Sequence, residues 1–213
     1  MNRPTALLIY FLLVASILAL DLWSKAAAFD FLGAEVVFDP VEQRPSLSHY
    51  TRYPVIEGFF DLEAVLNLGA FSGWFAGHRW LLLGVSLLWV IGSLGFLLCR
   101  PRHATWLVLA LALTAGGALG NLYDRYFLGA VRDFLRFYLH IAGEDRTWPN
   151  FNVADSCICC GVGLILIREF FHARQVKSIQ AAALRESLSA NTTDIVPPQA
   201  TAKAHSAETR GVE

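Results

Sequence analysis

Residues Trp80 to Cys99 read WLLLGVSLLWVIGSLGFLLC, twenty consecutive positions without an Asp, Glu, Lys or Arg. An α-helix rises about 1.5 Å per residue, so about 20 apolar residues match the hydrocarbon thickness of a bilayer. The stretch is therefore read as a transmembrane helix. Four residues downstream, after Arg100-Pro101-Arg102-His103, a second apolar run extends from Ala104 to Leu122. Upstream, Thr5 to Trp23 is apolar until Asp21. Near the other end, Phe151 to Ile167 carries one charge, Asp155, and is closed by Arg168-Glu169. The composition agrees: 55% of the 213 residues are hydrophobic and 16% charged, against about 25% charged in soluble domains. With 17 Lys+Arg against 18 Asp+Glu, net charge −1, the chain lacks the basic footprint of a nucleic-acid binder.

The first apolar run, with Arg3 before it and Ala26-Ala27-Ala28 after it, imitates a cleavable signal peptide. Asp21 and Lys25 occupy the region where cleavage would need neutral residues, so the run is expected to stay as a membrane helix. Lys and Arg in short loops favour the cytoplasmic side. Arg3, the Arg100/Arg102 connector and the Arg168, Arg174 and Lys177 cluster then lie inside, with both termini. The segments 25–79 and 123–150 lie outside, and the runs Gly58–Leu66 and Val131–Leu135 in them read as short strands. The expected fold is an all-α membrane protein with four transmembrane helices, about 5–23, 80–99, 104–122 and 151–167. They make a domain 1–180 with short β-strands or loops on its outer face. Residues 181–213, rich in Ala, Ser, Thr and Pro, are expected to be a disordered cytoplasmic tail.

This topology gathers polar residues at one depth. Asp21 and Lys25 end the first helix, Asn121, Asp124 and Arg125 end the third, and Asn152 and Asp155 start the fourth. Asn67 and Asp133 reach the same layer from the outer loops. Ionisable groups at the edge of hydrocarbon are costly and mark function by default. Two carboxylates held together share a proton, and such a pair activates water with one member as base and the other as acid. Asp155 is the strongest candidate. Asp21 with Lys25, at i,i+4, also fits a plain salt bridge. Asp124 fits a fixed structural carboxylate. In an extended Val131–Leu135, Arg132 points away from Asp133 and leaves it unneutralised. Asp124 and Asp133 are rivals at this point.

Other chemistries fit less well. Cys157 and Cys160 make a C-x-x-C within a membrane helix, without a second ligand pair for a metal. Ser24 beside Lys25 suggests a serine–lysine hydrolase, but adjacent helical residues do not face each other. Gly116-Gly117-Ala118-Leu119-Gly120 lies inside an apolar helix, where small residues allow close helix approach, not phosphate binding. No H-E-x-x-H is present. No metal or cofactor is expected.

The run Gly116 to Arg125 followed by Gly129-Ala130-Val131-Arg132-Asp133-Phe134 resembles the long signature of lipoprotein signal peptidase (signal peptidase II). Phe151-Asn152-Val153-Ala154-Asp155-Ser156, ending at Gly161, resembles that family's second signature. Asp21-Leu22-Trp23-Ser24-Lys25 resembles its first-helix element, and Asn67-Leu68-Gly69-Ala70-Phe71 its N-x-G-A-A-F loop, one residue short. The resemblance spans Asp21 to Gly161. It implies a multi-pass aspartyl endopeptidase of the bacterial inner membrane that removes signal peptides from prolipoproteins before the lipid-modified cysteine. Carried over by position, it implies Asp133 and Asp155 as the catalytic pair. Asp124, Arg125, Asn121, Asn152, Asn67, Gly69, Asp21 and Lys25 take supporting or substrate-binding roles. The implied partners are diacylglyceryl-modified prolipoproteins and membrane lipid; a monomer that binds no nucleic acid is expected. The segment 29–54 is longer than the family's usual connection. Competing readings are a proton- or ion-coupled transporter, which would carry its charges near the midplane, and a non-catalytic assembly factor using the outer loops.

Overall fold

The computed structural model describes residues 1–70, 74–141 and 144–194. By its contacts the chain divides into a unit Met1–Ile167 and a unit Arg168–Glu213. The first unit holds α1 (Arg3–Phe31), β1 (Val36–Asp39), β2 (Arg44–Leu47), β3 (Arg52–Ile56), β4 (Phe60–Asn67), α2 (Arg79–Cys99), α3 (Thr105–Phe127), β5 (Val131–Ile141), β6 (Glu144–Thr147) and the start of α4 (Val153–Asp194). Within the second unit α4 continues as helix to Asp194, into the segment expected as a tail; residues 195–213 of that tail lie outside the described residues.

The all-α expectation is corrected. Among the described residues six strands form a two-stranded sheet, β1-β2, and a four-stranded antiparallel sheet in the order β3-β4-β5-β6. The physical reason is that the outer segments leave the apolar helices and must pair their backbone groups, and their alternating side chains suit a half-buried pleated surface. Among the described residues three helices are long and apolar enough to cross a membrane: Arg3–Phe31, Arg79–Cys99 and Thr105–Phe127. The expected fourth span, 151–167, is not among them; its apolar stretch is short, with Asp155 near one end and Arg168-Glu169 at the other.

α3 is the central helix. Its buried residues include Val108, Ala110, Ala112, Ala115, Gly116 and Gly117, whereas α2 buries only Leu83, Ser93 and Leu97. Small side chains on α3 let its neighbours approach closely. A Cβ on Gly116 would lie 2.8 Å from Cβ of Ile17 in α1, and one on Gly117 would lie 2.3 Å from the Ala154 carbonyl oxygen in α4. Gly117→Ala is therefore expected to wedge α3 from α4 and cost about 1–3 kcal/mol, read as a lower unfolding temperature in detergent. Gly84→Ala, where a Cβ meets nothing within 4 Å, should leave that temperature unchanged.

One end of the bundle is tied by the chain start. Asn2 caps α1 through the Thr5 amide at 3.0 Å, the Arg3 amide donates to the Pro101 carbonyl at 3.1 Å, and the Arg3 guanidinium donates to the Leu98 carbonyl. This places Arg3 beside the Arg100/Arg102 connector, as the charge pattern predicts. A buried Tyr10–Ser93 hydrogen bond, 2.7 Å, links α1 to α2 in the apolar region nearby. At the opposite end, Ala28, Phe29, Leu32 and Ala34 pack with Ala64 of β4 and Phe134 of β5. That second core seats the sheet on the end of α1.

Candidate active site

Five elements, α1, β4, α3, β5 and α4, bring the polar layer together, and the backbone explains how. β5 pairs with β4 so that Val65 faces Asp133 and Asn67 faces Val131, with an irregularity between Leu62 and Val65. The chain entering α4 pairs with β5 as well: the Phe151 amide donates to the Leu135 carbonyl, and the Phe134 and Leu135 amides donate to the Phe151 carbonyl. That short bridge brings Asn152 beside Asp133.

Asn152 then caps α4. Its Oδ1 accepts from the Asp155 amide at 2.9 Å, and its own amide donates to Asp155 Oδ2 at 3.3 Å. This is the reciprocal arrangement of a capping box, so Asp155 is also held near the positive end of a helix. The Asn152 side chain donates from Nδ2 to Asp133 Oδ1 at 2.7 Å. One residue thus holds both carboxylates.

Asn121 completes the arrangement. Lys25 Nζ, which can only donate, lies 3.0 Å from Asn121 Oδ1, so Nδ2 turns to Asp155 Oδ1 at 2.7 Å. The other lobe of Asp133 accepts from Asn67 Nδ2 at 3.1 Å. Asn67 also shapes its own loop, accepting from the Gly69 amide at 3.0 Å and donating to the Ala70 carbonyl at 3.0 Å. Arg125, on the last turn of α3, clamps that loop by donating to the Gly69 carbonyl at 2.6 Å. Phe71 of the loop motif lies outside the described residues. Among the described residues, the hydrogen bonds to the Asp133 and Asp155 carboxylates come from the amide groups of Asn67, Asn121 and Asn152, which orient a carboxylate without competing as a base. Asp133 is 1% exposed and Asp155 half-buried. Burial, and next the negative charge of Asp155, push the Asp133 carboxyl up to about 8 against the hydrogen bonds from Asn67 and Asn152.

The rival carboxylate is engaged elsewhere. Asp124 Oδ1 lies 2.8 Å from the Arg132 guanidinium; its Oδ2 accepts from the Arg132 Nε at 3.2 Å and the Arg132 amide at 3.0 Å, and faces Lys25 at 3.4 Å. Arg132 does point away from Asp133, as an extended strand requires. Its partnership with Asp124 was not legible in the sequence, because the Leu128–Ala130 turn between them sets it. Lys25 is fully buried between Asp21 Oδ2, at 2.7 Å, and Asp124. Asp21 Oδ1 accepts from the Ala154 amide at 2.8 Å, and a Cβ on Gly120 would lie 2.3 Å from Asp21 Oδ2. The expected i,i+4 salt bridge is present, and it also ties α1 to α3 and α4. Ser24 donates to the Asp21 carbonyl at 3.0 Å. The cysteines 99, 157, 159 and 160 are free thiols.

A second charged cluster on the sheet went unnoticed in the sequence. Fully buried Asp61 pairs with Arg52 at 2.6 Å and Arg136 at 3.6 Å, and Arg136 reaches Glu63 at 3.4 Å. Both guanidiniums lie 5.1 Å from the Tyr138 ring. The signal was the cross-strand register Asp61↔Arg136, which requires the fold to be known.

A family model described as signal peptidase (SPase) II matches residues 13–171. A lipoprotein signal peptidase of Xanthomonas campestris pv. campestris is 38% identical over 185 residues, covering 83% of this chain and 96% of that protein. One from Sulfurihydrogenibium sp. is 35% identical over 161 residues, covering 73% of this chain and 86% of its own. A solved structure described as a bacterial membrane enzyme, obtained by the in meso method at 2.3 Å, is similar in fold. It has TM-score 0.61 at 23% identity and covers 78% of this chain and 89% of that one.

Proposed function

The chain belongs to the signal peptidase II family, and we propose that Asp133 and Asp155 are its catalytic pair, cutting prolipoproteins immediately before the lipid-modified cysteine. The family is one of aspartic proteases in the bacterial inner membrane that remove signal peptides from prolipoproteins. The single observation behind the assignment is that Asn152 holds both carboxylates, through Nδ2 on Asp133 and its backbone amide on Asp155. Asp124, by contrast, is occupied by Arg132 and Lys25.

The chemistry follows from the unequal environments. Asp133, pushed up to about 8, carries the proton of the pair at neutral pH, which leaves Asp155 to act as base. A water molecule between them gives its proton to Asp155 as its oxygen attacks the scissile carbonyl. Asp133 donates its hydrogen bond to the developing oxyanion, and a proton then passes to the leaving amine. Asn67, Asn121 and Asn152 orient the pair, Arg125 fixes the Asn67–Ala70 loop, and Asp21, Lys25 and Asp124 hold α1, α3 and β5 in register around it.

In this reading α4 spans the bilayer over 153–167 as a fourth helix, with both termini and the 181–213 tail in the cytoplasm. The positive end formed by Arg3, Arg100 and Arg102 faces inward. The carboxylates then lie at the outer boundary, at the depth where a lipidated cysteine joins its signal-peptide helix. The chain acts as a monomer on diacylglyceryl-modified substrates whose acyl chains stay in lipid. A transporter would need its charges near the midplane.

The test is cleavage of a lipidated prolipoprotein by purified chain in detergent, without added metal, giving signal peptide and mature lipoprotein. No cleavage by folded protein would sink the reading. The same assay carries a pH prediction. Below about 8 the buried Asp133 holds its proton; above it the pair loses that proton and the rate should fall about tenfold per unit. The apparent value belongs to the pair. Stability follows the same sign: a carboxyl raised in the folded chain contributes fully below its ordinary value and loses that contribution as pH rises through about 8.

A further inference from the structure

The segment 29–54 folds as the end of α1, the β1–β2 hairpin and the start of β3. Its tip is self-contained. Asp39 Oδ1 accepts from the Val41 amide at 2.8 Å and the Glu42 amide at 3.1 Å, Gln43 donates to the Pro40 carbonyl, and Arg44 pairs with Glu42. Val41 is 87% exposed.

The base of the hairpin makes different contacts. Pro45 sits against Gly129, the positive-φ residue (φ +82°) of the turn that launches β5. A Cβ there would lie 3.3 Å from Pro45 Cγ and 3.3 Å from Arg79 Nη1. Val36 and Leu47 pack on the apolar cluster that contains Ala64 and Phe134. The hairpin therefore touches the turn that launches β5 at Gly129, four residues before Asp133, and its base joins the apolar cluster that includes Phe134, one residue after Asp133. Ser48 and Glu35 close the base with two further hydrogen bonds, at 2.9 and 3.1 Å.

We propose that the β1–β2 hairpin is a brace that positions Asp133 against Asp155, with Pro45 and Leu47 as its positioning residues. The inference rests on the pair assigned above. Pro45 blocks the launching turn from drifting outward, and Leu47 fills the apolar cluster in which Ala64 of β4 and Phe134 of β5 sit, so Asp133 keeps its register with Asn67 and Asn152. Neither residue has a group that could take part in the chemistry.

The test is steady-state kinetics of the full-length chain on a lipidated prolipoprotein in detergent. Pro45→Ala and Leu47→Ala should each lower kcat about tenfold with KM within about twofold, a fraction of the ~10²-fold cost of an ångström's misplacement. Their alkaline limb should move to lower pH, because a loosened Asp133 admits water. Pro45→Val should recover most of the rate by restoring the bulk against Gly129, and Val41→Ser at the tip should match the unaltered chain. Unchanged kcat in both variants would overturn the brace. So would a rise in KM alone, or a rate loss that merely tracks unfolded protein with the limb unmoved. Failure of the unaltered chain to cleave, or cleavage by Asp133→Asn, would instead overturn the assignment of the pair.

Discussion

Asp133→Asn and Asp155→Asn are each expected to lower kcat by about 10³–10⁴-fold while the protein still inserts and accumulates. Asparagine keeps the size and much of the hydrogen bonding of aspartate, so each variant should fold. It can neither take the water's proton nor share one with its partner. Asparagine has one acceptor oxygen where aspartate has two, so Asp133→Asn keeps one of the hydrogen bonds from Asn67 and Asn152, Asp155→Asn keeps one of those from Asn121 and the Asn152 amide, and the rate is read per folded molecule. Loss of rate is therefore a statement about protons rather than packing. Asp124→Asn should behave differently, since Asp124 meets Arg132 and Lys25. It should lose stability and retain a measurable rate per folded molecule. If Asp133→Asn cleaves normally and the folded Asp124→Asn chain does not, the pair has been assigned to the wrong strand end.

The second large effect is on stability. Lys25 is 0% exposed and its ammonium meets Asp21, Asp124 and Asn121. Lys25→Met removes the cation and leaves two buried carboxylates with less compensation, which typically costs 3–5 kcal/mol, or about 10 °C in unfolding midpoint for a domain of this size. Thermal unfolding in detergent measures it. Asp21→Asn added to Lys25→Met should recover part of the loss, because removing both members of a buried pair is less damaging than removing one. A Lys25→Met chain that melts with the unaltered one would mean these carboxylates are already neutral or wet.

Much of this enzyme was legible before folding. The apolar runs gave three of the helices within a few residues at α2 and α3, though α1 extends to Phe31, well past the expected Trp23. The strand-like apolar run Gly58–Leu66 and the alternating run Val131–Leu135 marked β4 and β5. The hairpin β1-β2 and the outer cluster around Asp61 were not legible, since each depends on which strands meet. The glycines at 116, 117 and 120 were read correctly as close-packing residues. That Gly120 makes room for a carboxylate of another helix depends on how α1 crosses α3.

Composition and spacing alone therefore pointed to a chain in lipid and to Asp21, Asp124, Asp133 and Asp155 as one group, because hydrocarbon tolerates charge only where something pairs or uses it. They left Asp124 and Asp133 as rivals. The tertiary structure decided between their surroundings. The register of β5 on β4 and the Leu135–Phe151 bridge carry Asp133 to the cap of α4, while the turn after α3 folds Arg132 back onto Asp124. Both carboxylates have the same local chemistry. A local turn gives Asp124 its cation, and long-range strand pairing gives Asp133 a second carboxylate.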